Sequence, residues 1–102
     1  VVAPPVRDLA VALVLATHPN NPKAPEQVRK YVRYGASPRG AQALLGCAKV
    51  RALRLGRGHA DVSDIRALIG SALRHRLILN FEGEAEGVTT DRILEIVASG
   101  VR

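Results

Sequence analysis

The chain has 102 residues, enough for one domain and too few for two. Hydrophobic residues make up 47% and charged residues 24%, which excludes an unfolded polar chain, and aromatics at 3% leave the core to Leu, Val, Ile and Ala. A net charge of +6 and a pI of about 10.5 point to an anionic partner, whether phosphate, nucleic acid or an acidic surface.

Taken in chain order, Ala3-Pro4-Pro5 reads as an extended entry, and Pro5 opens a helix to about Thr17. "VRDLAVALVLAT" is apolar nearly all round after Asp8, so Val11, Val14 and Leu15 cannot all face one small core and an apolar patch is expected. The run from Leu9 to Ala16 is too short to span a bilayer. "HPNNPKAPEQ", with three prolines and two asparagines, is a loop. "QVRKYVRYG" forms a short helix through Val28, Tyr31 and Val32 that Gly35 ends.

A third helix is expected from Pro38 to Leu55, with Ala41, Leu44, Leu45, Ala48, Ala52 and Leu55 on one stripe and Gly56 and Gly58 closing it. Ser63 caps a fourth helix, whose apolar face is Ile65, Leu68, Ile69, Ala72 and Leu73. "RLILNFEGE" has the composition of a short extended piece without a visible partner, and two glycines turn the chain after it. Thr89 caps a last helix with Ile93, Ile96, Val97 and Val101 inward. The fold class read from this pattern is all-α: a small bundle of four to five helices with one short extended segment.

Cys47 is the single cysteine, which excludes an internal disulfide and reads as a small buried hydrophobe in a reducing compartment. With no charged leader preceding an apolar stretch, the chain is expected to be a cytoplasmic, soluble fragment. His18, His59, His75 and Cys47 lack metal-ligand spacing, so no metal site is expected.

The sharpest candidate is Arg39. Ser37 is the expected capping residue and Pro38 the first helical residue, so Arg39 places a cation in a first turn that already carries the positive end of the helix dipole. Free N–H groups, a Gly35-Ala36-Ser37-Pro38 turn that aims them, and a guanidinium together suit phosphate oxygens. Arg74-His75-Arg76 form a second basic cluster where the dipole favours cations. Lys49, Arg51, Arg54 and Arg57 permit an alternative, a small basic helical DNA-binding or protein-interaction module, but they spread round the helix.

"YVRYGASPRGAQALLGCAKVRAL" resembles the second-sensor segment of the MoxR family of AAA+ ATPases. "LVLATHP" with its proline-rich loop resembles that family's first lid helix, and "LRHRLILNFEGEAEGVTTDRIL" its C-terminal part. The resemblance implies that residues 1–102 are a C-terminal lid domain without the nucleotide-binding core. It also implies that Arg39 is the sensor-2 arginine reaching the terminal phosphate of ATP, with Gly35, Ala36, Ser37 and Pro38 shaping its turn. Gly40 departs from the alanine usual there. Neither G-x-x-x-x-G-K-[ST] nor an acidic pair after an apolar strand occurs in the chain, so ATP with Mg2+ is expected on the full-length protein and no tight nucleotide binding on this fragment. The partners implied are the protein's own AAA+ core, neighbouring subunits of a ring and client proteins, with von Willebrand factor A-type proteins among the candidates. The function implied is coupling of ATP hydrolysis to chaperone-like maturation or metal-cofactor insertion.

Overall fold

The computed structural model describes residues 4–101. They form α1 (Pro4–Leu15), α2 (Glu26–Tyr31), β1 (Val32–Tyr34), α3 (Pro38–Arg54), α4 (Val62–Leu73), β2 (Ile78–Leu79), α5 (Phe81–Ala85) and α6 (Thr90–Gly100). The all-α bundle is confirmed, with six helices among the described residues rather than four or five.

Helix α3 is the spine. Gly40, Ala41, Leu44, Ala48 and Ala52 are buried along it, an i, i+4 row of mostly small residues that lets α4 and α1 pack close on either side. Helix α4 answers with Ile65, Ile69 and Leu73, again four residues apart, and its far side receives Ile93, Leu94 and Val97 of α6. Helix α1 contributes Val6, Leu9, Ala10, Leu13 and Val14, the spacing of one helical face. Pro4 already belongs to this helix, so the extended entry does not reach it; Ala3 lies outside the described residues.

Several boundaries differ from the sequence reading. Residues 32–34 leave α2 as a strand that pairs antiparallel with β2, Val32 opposite Leu79 and Tyr34 opposite Ile78. The extended piece at Ile78 therefore has its partner 44 to 47 positions earlier, beyond the reach of local pattern. After it comes a helical turn, α5, because Asn80 caps it by accepting from Gly83 N–H at 2.8 Å while donating to the Lys30 carbonyl at 2.6 Å. Helix α4 is capped by Asp61, not Ser63: Asp61 accepts from Ser63 N–H at 2.8 Å, and Asp64 reaches back to Asp61 N–H at 2.9 Å. Leu55 leaves the α3 stripe and is exposed, because Gly56 at φ +79 turns the chain there, with Arg57 N–H bonded to the Ala52 carbonyl at 2.8 Å. Cys47 is exposed rather than buried, lying off the row formed by Leu44, Ala48 and Ala52.

Candidate functional site at the start of α3

The turn before α3 rests directly on the end of α1. Past Leu15 the chain closes one more turn, with Thr17 N–H on the Val14 carbonyl and His18 N–H on that of Leu15. Thr17 is fully buried; its hydroxyl donates to the Val14 carbonyl at 2.6 Å and accepts from the Ala36 N–H at 3.0 Å. The other side of Ala36 is held too, its carbonyl accepting from His18 Nε2–H at 2.7 Å. Gly35 fits only as glycine, since a Cβ there would lie 2.6 Å from the Thr17 carbonyl oxygen. The sequence reading had no signal for this contact.

From that anchored peptide the chain enters α3. Pro38 occupies the first helical turn as expected, but the Ser37 hydroxyl makes no capping hydrogen bond, contrary to its expected role; Ser37 serves through its extended backbone instead, its carbonyl accepting from Gly40 N–H at 2.7 Å. The Arg39 N–H therefore remains open among the described residues. The Arg39 side chain is exposed and forms no ion pair among them. A first-turn cation with no carboxylate beside it, next to an open N–H, favours an incoming anion.

Gly40 brings a second basic stem to this place. A Cβ on Gly40 would lie 3.0 Å from Ala36 Cβ, 3.1 Å from Leu73 Cδ2 and 3.7 Å from Arg76 Cδ, so the end of α4 closes against the first turn of α3. Of the Arg74-His75-Arg76 cluster, Arg74 is committed elsewhere, its Nε 2.8 Å from Asp91 Oδ1. His75 and Arg76 are exposed.

Along α1 and α3 a groove of about 370 Å³ opens beside the turn, lined by Val11, Leu15, His18, Pro38, Gln42 and Leu45 among others. Val11 and Leu15 are 42% and 52% exposed, which supplies the expected apolar patch, whereas Val14 is covered. The four cations of the DNA-binding alternative do not form a free row. Arg51 Nη1 and Arg57 Nη2 both lie 2.6 Å from Oδ1 of the buried Asp64, and Arg57 Nη1 lies 2.7 Å from its Oδ2. These guanidiniums hold the Asp64 carboxyl well below the usual carboxylate range. Two of the four are thus neutralised internally, leaving Lys49 and Arg54 exposed.

Residues 25–97 match the AAA lid domain family. The chain belongs to that family. The lid is 32% identical over 95 residues to the chaperone MoxR1 of Mycobacterium tuberculosis, covering 89% of this chain and 25% of that protein. It is 35% identical over 71 residues to an uncharacterized Bacillus subtilis protein, YeaC, covering 70% of this chain and 22% of that one. Among solved structures it superposes on a Cytophaga hutchinsonii protein described as a candidate ATPase, with a TM-score of 0.93 at 34% identity over 99% of the lid and 31% of that chain. The lid thus spans about a quarter of the length of the curated relatives it matches. Among its described residues no helix is long and apolar enough to cross a membrane, and no group of three or more His, Cys, Asp or Glu could hold a metal ion.

Proposed function

We propose that this lid serves a MoxR-type AAA+ ATPase, residues 1–102 forming its C-terminal lid, and that Arg39 delivers a positive charge to the terminal phosphate of ATP bound on the adjoining core domain. The observation that carries the reading is the state of Arg39: an exposed guanidinium with no ion pair among the described residues, in a first turn with an open N–H, three residues after Ala36, whose N–H and carbonyl are both held by the end of α1. A surface arginine kept only for solubility needs no such mounting. The residues present fit one part of a nucleotide site. Arg39 and the first-turn N–H suit phosphate oxygens, while the phosphate-cradling loop and the acidic ligands for Mg2+ belong to the core.

Bound nucleotide supplies a transferable phosphoryl group whose charge grows during hydrolysis. Arg39 offers a planar fork of donors to that charge, and does so in a site from which core and lid together exclude water, where such interactions are strongest. The groove between α1 and α3 runs up to this turn, and its apolar lining suits the core domain, so seating of the core positions Arg39 as well. The resemblance to a protein named as a chaperone supports a client-directed role, in which a cytoplasmic ring of such subunits couples hydrolysis to maturation or metal-cofactor insertion of partner proteins, von Willebrand factor A-type proteins among them.

The test is turnover and thermal melting of the full-length ATPase as wild type, Arg39→Ala and Arg39→Lys. Arg39→Ala is expected to lower kcat about a hundredfold with no loss of stability, as for removal of a transition-state donor. Arg39→Lys should recover part of it, since an ammonium lacks the fork. Unchanged turnover in both variants would return Arg39 to the surface.

A further inference from the structure

On the Arg39 reading above, we propose that His18 is a positioning residue for ATP hydrolysis, fixing through the Ala36 peptide where Arg39 lands. The sequence gives His18 no partner, for it lies in a proline-rich loop 21 positions before Arg39. In the fold its Nε2 stands 2.7 Å from the Ala36 carbonyl oxygen. A carbonyl only accepts, so Nε2 carries the proton and donates it.

Three features make this bond a fixture of the arginine's position rather than ordinary packing. The Thr17 hydroxyl, 3.0 Å from Ala36 N, holds the preceding Gly35–Ala36 peptide, while His18 holds the Ala36–Ser37 peptide, so the two together fix the peptides on both sides of the Ala36 Cα. Gly35 approaches Thr17 so closely that the turn has no slack towards α1. Between Ala36 and Arg39 stand only Ser37 and Pro38, and the proline ring fixes its own φ, so a displacement of the Ala36 peptide passes to the first turn of α3 with few soft torsions to absorb it. Ser37 does not stabilise that turn with its side chain, so the fixing falls to the α1 end. His18 also lines the groove between α1 and α3. Any domain seated there touches the residue that holds the arginine's mount.

Misplacement of a charge by a fraction of an ångström weakens its contact with a transition state far more than it disturbs a fold. The experiment measures ATP turnover and melting of the full-length ATPase as wild type, His18→Ala, His18→Gln, Arg39→Ala and the double variant His18→Ala/Arg39→Ala. His18→Ala is expected to lower kcat about tenfold, and His18→Gln, whose amide places a donor near Nε2, to restore most of it. In the Arg39→Ala background, His18→Ala should change turnover by less than about twofold, because the group it positions is already gone. Its effect on the melting temperature should be the same in both backgrounds. Full multiplication of the two losses would make His18 a structural residue and overturn the proposal. So would normal turnover of His18→Ala alongside an impaired Arg39→Ala, which leaves the Arg39 reading standing. Normal turnover of Arg39→Ala removes that reading, and the role of His18 with it.

Discussion

At the scale of single residues, Gly40 shows how two local effects oppose each other. Glycine in a first helical turn costs up to about 1 kcal/mol against alanine. The space for a Cβ is nevertheless tight, with Ala36 Cβ at 3.0 Å and Leu73 Cδ2 at 3.1 Å. Leu73 is fully buried, and Ala36 is pinned by Thr17 and His18, so neither yields freely. The propensity gain and the crowding should therefore nearly cancel. Gly40→Ala is expected to shift stability by less than about 0.5 kcal/mol, and Gly40→Val to lose about 2 kcal/mol, as overpacking does. Chemical denaturation of the three proteins checks this; a full 1 kcal/mol gain for alanine would mean that the α3–α4 contact relaxes easily.

At the scale of elements, the α3–α4 connection is tied by one carboxylate. Asp64 is buried, accepts from Arg51, Arg57 and the Asp61 N–H, and so joins the last turns of α3, the loop and the first turn of α4. Its carboxyl binds a proton less readily folded than unfolded. The stabilisation is therefore complete above the unfolded carboxylate pKa of about 3.9 and is lost as pH falls from there towards the lower folded value. Asp64→Asn keeps the shape but leaves two guanidiniums facing a neutral amide, and should lower the melting temperature by about 5 °C or more at neutral pH. The difference between wild type and Asp64→Asn should narrow below about pH 4. Melting curves of both proteins across that range decide the matter. Two residues further along α4, Arg66 donates to the carbonyls of Ala98 and Val101 at 2.8 and 2.7 Å, tying the last turn of α6 to the same helix.

At the scale of the whole molecule, the fold has a continuous core running from Val6 to Val97, and α4, α5 and α6 are capped by side chains of the chain itself. The isolated lid is therefore expected to fold alone into a helical monomer, as circular dichroism and sedimentation would show. The groups we propose for phosphate are one arginine, a neighbouring basic stem and an open N–H. Without a phosphate loop or magnesium ligands, that should bind ATP no more tightly than millimolar, since a few exposed charge contacts contribute little in water. Micromolar binding by calorimetry would contradict the division of labour between lid and core.

Residue spacing alone carries the helical class, the main helices α1, α3, α4 and α6 and the Thr89 cap, because each of these is written in residues three or four apart. What holds the Gly35–Ala36 turn emerges only in the fold, since Thr17 and His18 lie 19 and 18 positions from Ala36 and nothing local marks them as its partners. The same holds for the β1–β2 pair and for Asp64, on which Arg51 and Arg57 converge only in the fold. Helical periodicity reports which face of each helix is buried. It carries no record of which distant polar group will meet a backbone peptide once those faces have packed, and that meeting is what mounts Arg39.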